Sequence, residues 1–242
     1  MNTTYLKLET LRLFRNKQNF IFSLIFPFVL YYFVAGNNRH VKLGSLPFPT
    51  YYMAGMIAFG GMGAVVGGGA RIAFERDAGW TRQLRISPLS VSSYFRTKVA
   101  TSYLMAALTI VLLYAAGISL GVRMPLDRWL EMTGLVLVGL IPFAALGVML
   151  GHLIKGDSMG PVMGGGMSLL SILGGAFGPL GGNSSILHEL SEFVPTYWIV
   201  QAGHTSIGGS AWGAKGWIIV AAWSALLIYG AAWAYRRDTH PG

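Results

Sequence analysis

Six apolar stretches, each about as long as a bilayer is thick, constrain this chain more than any other feature. A helix needs roughly 20 mostly apolar residues to cross a hydrocarbon core. Such stretches run from about Asn19 to Gly36, Tyr51 to Ala73, Val99 to Gly121, Met132 to Ile154, Ser158 to Leu180 and Trp217 to Tyr235. They do not read as buried helices of a water-soluble protein, because 53% of the residues are hydrophobic and only 11% are charged, against about 25% charged in soluble domains. Alternating ten-residue segments, which a membrane barrel needs, are absent. The expectation is an all-α membrane protein with six transmembrane helices in one domain over residues 1–242. The first stretch does not read as a cleaved signal peptide. It is too long, Pro27 and Tyr31-Tyr32 interrupt it, and no small-x-small site follows.

Six crossings put both ends of the chain on one side, and the basic residues choose which. Thirteen of the 18 Lys and Arg fall on the side of the termini, among them Lys7, Arg12, Arg76, Arg85, Lys155 and Arg237; Arg39, Lys42, Arg123, Arg128 and Lys215 fall on the other. That asymmetry predicts cytoplasmic termini. The net charge of +9 is then mostly a topology signal, and basic residues dispersed over membrane loops argue against a nucleic-acid partner.

Residues 1–18 include a basic helical segment, Tyr5 to Lys17, expected as an interfacial helix on the cytoplasmic leaflet leading into the first span. The longest inner connection, residues 74–98, opens with Glu75-Arg76-Asp77, bends at Gly79 and is stopped by Ser87-Pro88. Its apolar set of Trp80, Leu84, Ile86 and Leu89 suits a protein-docking element better than a bare connector. Ser90, Ser92 and Ser93 are N-cap candidates for the helix that follows. Outside, residues 181–216 are too short and polar to span. Ile186–Phe193 and Thr196–Ile207 read there as short re-entrant helices on either side of Pro195, with Tyr197 and Trp198 as interfacial anchors.

Glycine is concentrated in two spans. Gly63/Gly67, Gly160/Gly164 and Gly174/Gly178 have the GxxxG spacing that lets helix backbones approach closely, within one subunit or across a dimer seam. Phe28, Tyr31, Tyr32, Met163, Met167 and Phe177 form an aromatic and thioether set that fits apolar cargo, although core packing explains each singly.

The signs of intrinsic chemistry are negative. No GxxxxGK[ST] loop is present, so the chain does not itself bind nucleotide through one. It has no cysteine, and its five histidines show no metal-ligand spacing. His188 beside Glu189 and Glu192 is the nearest approach to a site. No ionisable residue falls mid-span, which argues against ion-coupled transport.

Together these features resemble the permease subunits of type-2 ABC exporters, the drug-resistance family that includes the daunorubicin exporter. The resemblance rests on the basic N-terminal helix before six spans, on the loop E75-R-D-A-G79-W-T-R-Q-L84-R-I-S-P88, and on Pro195, Tyr197 and Trp198 before the last span. It implies that Glu75, Arg76, Gly79, Leu84 and Pro88 couple the chain to an ATPase. It also implies two ATP-hydrolysing subunits carrying ATP and Mg, no cofactor in this chain, and a second permease copy as homodimer or pseudo-dimer. Amphiphilic or hydrophobic cargo leaving across a bacterial plasma membrane completes the picture. The alternative is a non-transporting scaffold or receptor whose 74–98 loop docks a signalling protein.

Overall fold

A computed structural model of the chain describes residues 3–15, 20–80, 90–179, 186–207 and 211–239. Apart from one two-stranded hairpin, Lys42–Leu43 with Leu46–Pro47, the described elements are helical. Helix α1 spans Thr3–Arg15, α2 Ile21–Asn37 (entered through a π-turn at Ile21–Ile25), α3 Phe48–Asp77 and α4 Val91–Ser119. Helices α5, Leu126–Gly139, and α6, Ile141–Leu153, are near-continuous and meet at Leu140, before Pro142. Helix α7 passes through Gly156–Pro161, a second π-turn at Val162–Gly166, and Met167–Leu173. Two short helices, α8 (Ile186–Ser191) and α9 (Pro195–Gln201), lead through a 3-10 turn at Ala202–Ile207 to α10, Ala214–Thr239.

Four segments are long and apolar enough to cross a membrane: Phe48–Asp77, Ser92–Ser119, Leu126–Leu153 and Ala214–Asp238. The first apolar stretch of the sequence yields the shorter α2. The fifth yields α7, which ends before Gly174 instead of running to Leu180, and passes into a π-turn containing three consecutive glycines just after Pro161, which lacks an amide hydrogen. Phe33, Val111, Leu169, Ile218 and Tyr229 are exposed on helix flanks, an arrangement suited to lipid.

Helix α3 is the axis of the bundle, with 89% of its apolar window buried. Its small residues make this possible. A Cβ on Gly69 would lie 1.7 Å from the carbonyl oxygen of Gly147 in α6, and one on Gly55 would lie 2.0 Å from that of Ala176. A Cβ on Gly60 would lie 2.6 Å from the carbonyl oxygen of Ser23 in α2 and 2.7 Å from the Thr109 methyl in α4. Gly147 and Gly151, four apart on α6, return the approach against Val66 and Gly69. Backbones this close gain dispersion contacts that bulkier side chains would forbid.

Helix α4 starts at Ser90, whose Oγ accepts the Ser93 amide at 3.3 Å. Two of its interior hydroxyls return to their own helix, Thr97 donating to Ser93 O at 2.8 Å and Ser102 to Lys98 O at 2.8 Å, while Thr109 also reaches Ser23 O of α2 at 3.0 Å. At the opposite end of the bundle, α9 packs inward. Thr196 Oγ1 donates to Met62 Sδ, halfway along α3, at 3.4 Å, and its Cβ fills the space over Gly174. Three indoles hold this segment in place. Trp198, Trp212 and Trp223 donate to the carbonyls of Glu192, Trp198 and Phe193 at 2.9, 2.6 and 2.8 Å.

Candidate functional site

The end of α3 that leads into the 78–90 connection carries the densest charge chemistry in the described residues, and it is built from five elements. Lys98, 1% exposed in α4, donates through Nζ to Glu9 of α1 at 2.9 Å and to Glu75 of α3 at 2.5 Å. Glu9 is also 1% exposed and lies 3.6 Å from Nη1 of Arg71, whose Nη2 donates to the hydroxyls of Thr101 and Ser102 at 3.2 Å each. Tyr94 donates to Glu75 at 2.7 Å and stacks on Tyr5 of α1 with ring centroids 6.3 Å apart. Arg12, largely exposed, approaches both carboxylates from outside, 3.5 Å from Glu9 and 3.9 Å from Glu75.

Two buried cations thus balance two carboxylates. Burying either sign alone would carry a large desolvation cost, and the balanced cluster avoids it only while every member stays in place. Burial, reinforced by the nearby charges of Glu9 and Glu75, pushes the Tyr5 hydroxyl well above its usual pKa and keeps it neutral.

The N-terminal helix is therefore fastened to the bundle by Tyr5, Glu9 and Leu13, which share one face at i, i+4 and i+8; Glu9 and Leu13 are buried and Tyr5 half-buried. Sequence reading finds no clear amphipathic face there because the central residue of the buried stripe is a carboxylate. It also places Lys98 in a connecting loop, whereas α4 begins at Val91 and Lys98 lies inside it. The connection between α3 and α4 contracts accordingly from 74–98 to 78–90.

Beside this cluster, Arg76 leaves α3 and donates to the carbonyls of Gly151 (3.2 Å), His152 and Ile154 (2.9 Å) at the end of α6. Asp77 accepts the Gly156 amide of α7 at 2.7 Å. Gly79 closes α3: at φ +76° it occupies the left-handed region natural to glycine, and its amide donates to Arg76 O at 2.9 Å. Leu84 and Pro88 lie outside the described residues. Trp80, the last described residue before them, sits under the Arg12 guanidinium, 5.8 Å from its centroid. A third link joins α6 to α10, where His152 Nδ1 lies 3.0 Å from Asp238 Oδ2 and its ring packs against Phe95 and Tyr235. Through Glu9 and Asp238, the N-terminal helix and the end of α10 come to the same end of the bundle.

The aromatic and thioether set divides between core and surface. Tyr31 and Met167 are buried, the former stacked on Tyr52 at 6.4 Å; Phe28, Met163 and Phe177 are half-buried; Tyr32 is exposed. Among the glycine pairs, Gly63 meets Ser23, Gly67 is buried in α3, and Gly174 meets Thr196. Gly160, Gly164 and Gly178 have open space where a side chain would be. The closest helix crossing instead uses Gly147 and Gly151, whose own GxxxG spacing was the available signal. Glu192 pairs with Lys215 and with His188, 3.7 Å away. Among the described residues no three potential ligands gather into a metal site.

Long apolar helices with lipid-suited flanks and one cross-linked charged end define a multi-pass membrane protein. Residues 37–235 match the ABC-2 family transporter proteins, and the chain belongs to that family. Membership makes it the membrane subunit of a transporter and implies an ABC ATPase as its partner. It is similar to the candidate transport permease YvfS of Bacillus subtilis (strain 168), with 24% identity over 233 residues covering 95% of each chain. No solved structure matches it.

Proposed function

We propose that this chain is the permease subunit of an ABC exporter that moves amphiphilic or hydrophobic cargo, such as a drug, a natural product or a lipid-linked molecule, out across the bacterial plasma membrane. One observation carries the reading. The last turn of α3, where the 78–90 connection leaves the bundle, bonds at once to α1, α4, α6 and α7 through Glu75, Arg76 and Asp77. A force applied to that connection by a docked ATPase reaches four elements without passing through solvent. In this reading Leu84 is the apolar anchor in the ATPase, Pro88 ends the docking helix, and Gly79 sets the direction in which it leaves.

The chain crosses six times, with α2 and α7 as the two thinner crossings and both termini in the cytoplasm. Support comes from α2, about 25 Å long at 1.5 Å per residue, from α1 and the end of α10 meeting at one end, and from the excess of basic residues there. Segment 186–207 is read as outer and re-entrant, supported by the reach of Thr196 to Met62. Two permease copies, identical or related, meet two ATPase subunits that carry ATP and Mg. The seam between the copies runs along α2 and α7, where Phe22, Phe33, Leu169 and Ile172 face outward and Gly160 and Gly164 leave room for approach. Cargo follows that seam past Phe28, Tyr32, Met163 and Phe177, with Tyr31 and Met167 behind them.

The test is purification of the chain from its native host. A Walker-motif ATPase should co-purify, and amphiphilic cargo should stimulate its hydrolysis. Solute movement by the purified chain alone would refute the reading, and capture of a signalling protein in place of any ATPase would favour a scaffold.

A further inference from the structure

Helix α3 ends in two adjacent residues of opposite charge, and both reach the same turn of another part of the chain. Arg76 donates to three carbonyls at the close of α6, and Asp77 accepts the first amide of α7. These are the backbone groups that a helix leaves without internal partners. The signs also match the helix dipoles, a cation at a C-terminus and an anion at an N-terminus. Only Ile154 and Lys155 separate the two helices, so one pair of side chains holds both ends of the turn. The first residue of α7 also rests on α3 directly, since a Cβ on Gly156 would come within 2.5 Å of the Phe74 ring.

Past this first residue α7 is packed on one face only, through Met159, Met167 and Ser171. Pro161 and the π-turn Val162–Gly166 interrupt its hydrogen-bond ladder, and Gly160, Gly164, Gly165 and Gly166 have nothing within 4 Å of a built Cβ. The α3–α6 crossing is the opposite case, locked by backbone contacts at Gly69 and Gly147. A displacement at the end of α3 therefore carries α6 as a rigid body, whereas α7, gripped at its start and lacking such backbone locking, can turn on its one packed face.

We propose that Asp77, together with Arg76, is a positioning residue that delivers movement of the 78–90 connection to α7. Asp77 acts by holding the Gly156 amide and not by its charge towards a partner protein. The proposal rests on the reading that an ATPase docks on that connection.

The absence of cysteine from the chain makes the test direct. Leu173→Cys at the exposed end of α7 and Leu226→Cys on the exposed flank of α10 accept spin labels without removal of any native thiol. The distance between the labels is measured in the complex with its ATPase, with and without ATP. Amide exchange over residues 156–160 is measured on the same variants without the ATPase. Asp77→Ala should abolish the ATP-dependent shift while hydrolysis continues, and should speed exchange at Gly156 roughly five- to tenfold, the usual worth of a lost helix cap. Asp77→Asn keeps an acceptor oxygen and should retain both the shift and the protection. An unchanged shift in Asp77→Ala, or a loss in Asp77→Asn equal to that in Asp77→Ala, overturns the proposal. If exchange responds as stated but the wild-type complex shows no ATP-dependent shift, the transport reading falls and the transmission with it.

Discussion

Replacing Lys98 by Met removes the cation that bridges Glu9 and Glu75 while keeping most of the side-chain volume. Glu9 would retain Arg71 at 3.6 Å and Arg12 at 3.5 Å, and Glu75 would retain the Tyr94 hydroxyl at 2.7 Å. Removing one partner of a buried pair costs about 3–5 kcal/mol, because the remaining charge is stranded away from water. With two arginines still near Glu9, the lower end applies, about 3 kcal/mol. For a chain of this length that corresponds to a fall in Tm of roughly 6–12 °C. Thermal unfolding of the detergent-solubilised protein reads it. Adding Glu9→Gln should recover part of the loss, giving a coupling of about 1–3 kcal/mol in the double-mutant cycle. A Lys98→Met protein melting within about 1 °C of wild type, with strictly additive effects of the two substitutions, would refute the view that this cluster fastens α1.

Other outcomes follow from the same contacts. Gly69→Ala would place a methyl group 1.7 Å from the Gly147 carbonyl oxygen and should prevent stable folding, whereas Gly134→Ala on α5 meets open space and should not lower the melting temperature. Leu84→Asp should leave expression intact yet uncouple ATP hydrolysis from export, measured as cargo-stimulated ATPase activity beside transport. His204 is held below its ordinary pKa of 6.5 by burial. Its contribution is thus fully present above pH 6.5 and lost as the pH falls towards its folded value. His204→Gln should flatten the decline in melting temperature between neutral and mildly acidic buffer.

Much of the architecture can be read from apolar run length alone, since α3, α4, α5–α6 and α10 fall where runs of 19 or more residues predict them. What escapes that reading is polar. Lys98 and Arg71 stand where a basic flank is expected, and nothing local distinguishes a residue solvated at the interface from one buried against a carboxylate 89 positions away. Glu9 hides the buried stripe of α1 for the same reason. Gly147 and Gly151 were legible by their spacing, but the more glycine-dense spans draw attention from them. The bracket formed by Arg76 and Asp77 depends on a turn nearly 80 residues further along, and only the fold shows it.

The central position of α3 bears on how the protein enters the membrane. Its apolar window has a mean hydropathy of 1.4, below the 2.3 of Leu126–Leu153, although it is the most enclosed of the four long helices. Alone among acyl chains, a helix rich in glycine and alanine would find few contacts and a weak incentive to stay. Its insertion is then a cooperative act that needs α4 and α6 beside it, so a substitution that loosens either neighbour should show first as poor membrane yield during synthesis.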